Sequence, residues 1–235
     1  MIPEDAAWAA QLMERRRQVY ATYSPVFWKP ATGATGLHAR YLGALLRDGR
    51  NIGLRSERAF LIGQEQGAEY LVDDFALDQG GTWDSDGRDL LAALWDLVRT
   101  STQQLRVVTA RADREKVAGL EASGLALDQQ WWVKPLASRG QAAPHPAIQV
   151  RGAGFSGLFG PAPPVYDPGG PVLRIDPPVH LFQLAELEEW AAALGAVLAI
   201  LPVPPAAATE RELERRQWSV ASQWYVGQPG TGPRE

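Results

Sequence analysis

The sequence predicts an α/β protein in which short strands alternate with amphipathic helices, and three observations carry that expectation. Residues 52–77 fall into short runs of β-forming residues separated by Ser56-Glu57 and Gln66-Gly67, the pattern of an antiparallel meander. Residues 83–100 place Leu90, Leu91, Leu94, Trp95 and Val98 on one stripe, a period that buries one helix face. Residues 105–133 recur as residues 198–226, a constant 93 positions on. Each copy runs apolar strand, loop, short helix ending on a Leu-Glu pair, then an alternating segment closing on Gln-Trp-aromatic-Val. A repeat of this size points to a duplicated folding unit; chance similarity on a common α/β grammar is the alternative.

The elements follow in order. Glu4 and Asp5 open a helix with Trp8, Leu12, Arg15, Arg16 and Val19 at three- and four-residue spacing, ending near Tyr23, with Arg15, Arg16 and Arg17 expected on its solvated face. Residues 24–36 hold two prolines and two glycines and read as a loop carrying Phe27 and Trp28. A second helix over 37–47 presents Tyr41, Leu42, Leu45 and Leu46 as its apolar face, and Gly49 stops it. Strands are expected at 52–55, 59–64 and 69–77, and the helix at 83–100 has Asp84 and Asp86 near its positive end. A strand at 105–110, a helix at 113–123 capped by Gly124 and a strand at 125–135 complete the first half.

From 137 to 170 the composition shifts to Pro, Gly and Ala, which sets the expected organisation: a first domain over 1–137, a linker over 138–170 and a shorter half-domain over 171–235. Within that linker, 147–150 is a candidate strand, and Phe155, Leu158 and Phe159 are more apolar than a solvated linker requires. The second half then reads strand 172–176, helix 180–194, strand 197–203, helix 209–216 and strand 218–226.

Composition narrows the function. A net charge of -4 gives no broad attraction for nucleic acid or an anionic membrane, so neither is expected as a partner. The absence of cysteine excludes a thiolate nucleophile, disulfides and Cys-ligated zinc. His38, His145 and His180 are too dispersed to suggest a metal site, so none is expected. No apolar run approaches the ~18 residues of a membrane span, and a cytoplasmic monomer or homodimer is the expectation.

Two helices, a meander ending in Tyr70-Leu71-Val72-Asp73-Asp74-Phe75, a helix introduced by Trp83 and Gly87 with Leu90-Leu91, and the strand, helix and aromatic strand of 105–135 together resemble the GNAT (Gcn5-related) N-acetyltransferase fold. The resemblance covers about residues 2–135. It implies a mixed, largely antiparallel sheet splayed between two central strands and flanked by helices, with a truncated, degenerate repeat following. It also implies acetyl-CoA lying in the splay, bound along Phe75, Ala76 and Leu77, with its pyrophosphate at Ser85, Asp86, Gly87 and Arg88. A helix start offers unpaired N–H groups and a positive dipole end to such an anion. The family signature Gln/Arg-x-x-Gly-x-Gly/Ala reads here Thr82-Trp83-Asp84-Ser85-Asp86-Gly87, and only Gly87 fits. Asp84 and Asp86 place like charges where a diphosphate would sit, which Arg88 partly offsets, and the alternative reading is a helix N-cap at Asp84 in a loop that binds nothing.

The activity implied is acetyl transfer from acetyl-CoA to a small-molecule or peptide amine, which requires a base for the amine and an acid for the departing thiolate. Asp73 and Asp74 are the candidate catalytic residues; alternation lets only one face the splay, and burial beside Phe75 suits Asp74 to act as base. The helix at 113–123 has no tyrosine, which leaves Tyr41, Tyr70 or solvent as acid. Phe27 and Trp28 are the candidate acceptor-binding residues, and Trp131, Trp132, Trp224 and Tyr225 read as packing. A catalytically inactive binding or scaffold protein is the competing reading, and exchange of the repeated halves in a swapped homodimer is a third.

Overall fold

The computed structural model describes residues 1–98, 104–137 and 143–227. Its elements are α1 (Ala6–Tyr23), α2 (Ala34–Arg47), β1 (Ile52–Arg55), β2 (Ala59–Gln66), β3 (Glu69–Val72), β4 (Phe75–Leu77), a π-helical turn (Trp83–Gly87) entering α3 (Arg88–Val98), β5 (Gln104–Thr109), α4 (Arg114–Ala122) and β6 (Ala126–Pro135). Then follow β7 (Ile148–Gly152), β8 (Phe155–Gly160), β9 (Val172–Ile175), α5 (Leu184–Ala193) behind a 3-10 turn, β10 (Leu198–Val203), α6 (Ala207–Arg215) and β11 (Ser219–Gly227). The expected helix end at Thr100 lies outside the described residues.

The chain divides into two units, each discontinuous in sequence. One comprises Met1–Val19, Gly33–Asp128 and the segment from Gln223; the other comprises Tyr20–Thr32 and Gln129–Ser222. These boundaries differ from the expected division at 137 and 170, because β6 and β11 each begin in one unit and end in the other. The stretch expected as linker contains β7 and β8, whose Phe155 and Phe159 are buried in the second core. Residues 138–142 of that stretch lie outside the described residues.

In the first unit the strand order is β1-β2-β3-β5-β11. Its β3 and β5 are parallel and the remaining neighbours antiparallel. The parallel pair requires a crossover, which α3 supplies. Strand β2 is apolar on both faces because both are covered. Phe60 and Ile62 pack with Ala9, Leu12 and Met13 of α1 and Leu42 of α2, whereas Ala59 and Leu61 pack with Leu90, Leu91 and Leu94 of α3 and Leu120 of α4.

The second unit repeats the plan in the order β7-β8-β9-β10-β6, again with one parallel pair, β9 with β10, among antiparallel neighbours. Here α5 and α6 cover one face through Leu184, Leu187, Ala191 and Leu213 against Trp132, Leu173, Ile175 and Leu201. On the opposite face lie Val133, Leu198, Ile200 and Ala221, with Val26, Phe27 and Trp131 against them. Each parallel pair therefore takes its next antiparallel neighbour from the distant half of the chain: β5 pairs β11, and β10 pairs β6.

Candidate active site

The stretch 69–77, expected as one strand, is interrupted. Register runs Gln64↔Leu71 on one side and Leu61↔Phe75 on the other, so two residues of β2 oppose three of the partner and a β-bulge falls at Val72-Asp73-Asp74. Before the bulge β3 pairs both β2 and β5; after it β4 pairs β2 but not β5. The sheet parts at this point. Because Ile62 N–H donates to Asp74 O, antiparallel alternation turns the backbone groups of Ala76 toward β2 and those of Phe75 and Leu77 toward the parting.

The bulge sends the two aspartates to different surroundings. Asp74 is buried, and its Oδ1 lies 2.8 Å from His38 Nε2 on α2. The other ring nitrogen, Nδ1, is 2.7 Å from a terminal nitrogen of the Arg17 guanidinium on α1. A guanidinium only donates, so Nδ1 holds the lone pair and the proton sits on Nε2, donated to Asp74. Arg17 in turn donates twice to Glu14 Oε2, at 2.8 and 3.2 Å, and the same oxygen accepts from Thr35 Oγ at 2.8 Å. Tyr41 stacks on His38 with centroids 6.0 Å apart and donates to Gln64 Oε1. Its phenol is pushed up to about 12 by burial, then by the charges of Asp74 and Asp73.

Asp73 is on the open side, with 51% of its side-chain surface exposed. Its carboxyl is nonetheless held above the ordinary range, first by desolvation among the surrounding atoms and then by Asp74, while Arg16, Lys116 and His38 pull the other way. The exposed half of the side chain tempers the desolvation. Arg16 clamps the bulge: one guanidinium nitrogen donates to Asp73 O at 2.6 Å and to Phe75 O at 3.4 Å. Arg16 and Arg17 were expected on a solvated face. Arg17 is buried and Arg16 nearly so, because three consecutive helical residues span about 200° and cannot share one face.

Within the parting stands Lys116 of α4, wholly buried, its Nζ 3.0 Å from Val108 O of β5 and 3.4 Å from Phe75 O of β4. It also lies 5.1 Å from the centroids of both the Phe75 and Trp83 rings. Burial, and then Arg16, push its amine well below the usual lysine range. Trp83 packs edge-on against Phe75, and a Cβ on Gly87 would stand 2.6 Å from Trp83 Cε3, so only glycine permits that approach.

The loop before α3 is a π-helical turn with Asp84, Ser85 and Arg88 exposed. Thr82 N–H donates to Asp86 Oδ2 at 3.0 Å, and Gly87 N–H donates to Thr82 O at 3.1 Å. The fit to acetyl-CoA is therefore divided. The edge of β4 has no strand partner on the β5 side, which suits the amides of its thioester arm, but Phe75 O there already accepts from Arg16 and Lys116. The loop does not suit its diphosphate, since two carboxylates lie there and the Thr82 and Gly87 N–H groups are engaged within the turn.

Phe27 and Trp28 belong to the second unit, whereas Asp73 and Asp74 belong to the first. Trp28 is buried between Tyr20, Phe27 and Tyr166, and its indole N–H donates to Ala221 O at 3.1 Å. Sequence reasoning passed over His38, Arg17, Glu14 and Lys116. The available signal was the pair Glu14 and Arg17 at helical spacing, which places a carboxylate beside a cation on one face.

Solved structures share this architecture. The chain matches a candidate acetyltransferase from Thermoplasma acidophilum with a TM-score of 0.55 and 11% identity, covering 89% of this chain and 87% of that one. A GCN5-related N-acetyltransferase from Sphaerobacter thermophilus matches with a TM-score of 0.50 and 12% identity, over 100% of this chain and 95% of that one. The fold is that of the GCN5-related N-acetyltransferases. A candidate acetyltransferase from Pyrococcus horikoshii matches at a TM-score of 0.53 and 11% identity, covering 97% of this chain and 87% of that one. No family profile and no curated protein matches the chain. Among the described residues of this GNAT fold, no group of His, Asp and Glu is placed to hold a metal, and no helix is long and apolar enough to cross a membrane.

Proposed function

We propose that the first unit transfers an acetyl group from acetyl-CoA to an amine, small-molecule or peptidic, by direct attack. The observation that carries this reading is Asp73: a half-exposed carboxyl with raised proton affinity, at the bulge where β4 leaves β5. When bound, acetyl-CoA supplies the thioester carbonyl that the amine attacks. Asp73 takes the proton from the incoming ammonium in place of Asp74, the base expected from sequence, because Asp74 is buried and engaged by His38 whereas Asp73 is half exposed. Solvent protonates the leaving thiolate, because the Tyr41 hydroxyl is given to Gln64 Oε1 and its phenol is pushed up to about 12. The backbone of Leu77 on the β4 edge aligns the arm, since Phe75 O is already held by Arg16 and Lys116.

A second reading has its own support. Lys116 already occupies the Phe75 and Val108 carbonyls, and the acidic turn at Asp84 and Asp86 repels a diphosphate, which favours a binding or scaffold protein that has no donor. Titrating the full chain with acetyl-CoA to millimolar concentration separates the two. A ligand of the native state at 100 times its Kd stabilises by about 2.7 kcal/mol, so the transferase reading expects a clear rise in melting temperature. No rise, together with no acetylation across an amine panel, leaves the second reading.

A further inference from the structure

Lys116 takes no part in the proposed transfer, yet it fills the place where the sheet parts. Beyond the bulge β4 pairs β2 but not β5, so these two strands lack the backbone bonds that would join them. One atom spans the gap. Lys116 Nζ donates to Val108 O on β5 at 3.0 Å and to Phe75 O on β4 at 3.4 Å, with the centroids of the Phe75 and Trp83 rings each 5.1 Å away. Three features build its seat. Asp113 caps α4 by accepting from the Lys116 backbone N–H at 3.2 Å, which fixes where the side chain starts. One turn on, a Cβ at Gly119 would stand 3.1 Å from Trp83 Cβ, so the glycine lets Trp83 lie close against the same helix face. Trp83 and Phe75, packed edge to face, wall the amine, and Lys116 is wholly buried with no ion pair among the described residues. A buried amine without a carboxylate is costly, and here carbonyls and ring faces compensate.

The chemistry of the gap defines what fits it. Both strands present carbonyl oxygens there, so an occupant must bring N–H groups. A carbonyl oxygen has two lone pairs, and Phe75 O accepts already from Arg16 and Lys116, so it opens to a ligand only once Lys116 withdraws. We propose that Lys116 is a built-in plug of the parted sheet: its amine holds the place of a ligand's N–H donor between β4 and β5, and an extended amide-bearing chain binds in the gap by displacing it. Lysine carries its amine on a flexible stem, so withdrawal needs no strand to move. The plug lowers the affinity for such a chain in proportion to the fraction of molecules in which the gap stands open. The inference rests on the transferase reading for one point, that the displacing chain is the arm of acetyl-CoA; the plug itself stands without it.

The probe is N-ethylpantothenamide, which carries the amides of that arm without thiol or diphosphate, and its binding to the full chain is measured by calorimetry. Lys116→Ala empties the gap and binds the probe about tenfold or more tightly than wild type does. Lys116→Met keeps the stem without N–H groups, moves the same way, and serves where Lys116→Ala fails to fold. The chain has no cysteine, so Lys116→Cys carries a unique thiol, and alkylation with 2-bromoethylamine in denaturant, followed by refolding, rebuilds an amine of lysine length. That product regains the wild-type melting temperature and the wild-type weakness toward the probe, whereas methylation of the same sulfur restores neither. Equal probe affinity in wild type and the substituted chains overturns the proposal, as does an aminoethylated Lys116→Cys that behaves as its methylated form, or a probe that binds no variant. Probe binding in the expected pattern, with acetyl-CoA bound by no variant and no amine acetylated, removes the transferase reading and leaves the plug standing.

Discussion

Replacing Lys116 by methionine isolates the consequence of placing an amine inside the parted sheet. Methionine keeps the length and apolar stem but cannot donate to Val108 O and Phe75 O, so the variant loses two hydrogen bonds, each worth about 0.5–1.5 kcal/mol. The wild-type chain carries the opposite burden, because burial, and then Arg16, depress the proton affinity of an amine whose ordinary pKa is 10.5. Between the lowered folded value and 10.5 the unfolded chain binds a proton that the folded chain does not. Stability of the wild type therefore rises with pH across that window, by about 1.4 kcal/mol per pH unit from this one group, and falls as pH drops. Lys116→Met has no such term. Urea unfolding of both chains at several pH values cancels the titrations they share, and the difference in unfolding free energy changes in favour of wild type at about that slope. Curves that stay parallel from neutral pH to pH 10 refute the reasoning, since they require Lys116 to hold the same proton folded and unfolded.

Two further substitutions probe packing within the second unit. Gly157→Ala places a Cβ 2.6 Å from the backbone oxygen of Arg174 across the β8–β9 pair, and since backbone cannot swing aside, thermal unfolding is expected to show a loss of about 1–3 kcal/mol. Trp28→Phe removes the indole donor to Ala221 O and leaves a void among Tyr20, Phe27 and Tyr166, a combined cost of about 2–4 kcal/mol by denaturant unfolding; a stability unchanged from wild type removes the packing role.

Much of the fold was legible because local period and tertiary burial agree. Strand β1 has the expected bounds, and α4 and α6 begin at Arg114 and Ala207, 93 positions apart as the repeat requires. Helix α3 buries the expected stripe of Leu90, Leu91, Leu94 and Val98, and Gly124 adopts the left-handed φ of 82° that a helix stop needs. What escaped was set by partners rather than by the strands themselves. Nothing in Tyr70-Leu71-Val72-Asp73-Asp74-Phe75 declares a bulge; it arises because β3 must pair β5 while β4 does not. The exchange of β6 and β11 was equally hidden, since both carry the same closing pattern and either satisfies the alternation of a neighbour. Arg17 and His38 are far apart in sequence, and their pairing depends on how α1 lies beside α2.

The second parallel pair shows why a strand order alone does not make a site. Asp176 follows β9 as Asp73 follows β3, at the point where a parallel pair ends. Its carboxylate is committed, with one oxygen accepting from Ser156 Oγ at 3.1 Å and from the Gln149 amide, and its own N–H bonded to Ser156 O. Pro177 and Pro178 come next, where the first unit has Asp74 and Phe75, and neither can offer a backbone N–H to a ligand. Nor does a histidine or arginine stand behind Asp176 in an ion pair among the described residues. Where its own parallel pair ends, the second unit has a committed carboxylate and two prolines in place of an open carboxyl beside a buried aspartate held by histidine. The two units thus share a frame and differ in the few groups on which the proposed chemistry depends, so that chemistry is assigned to the first.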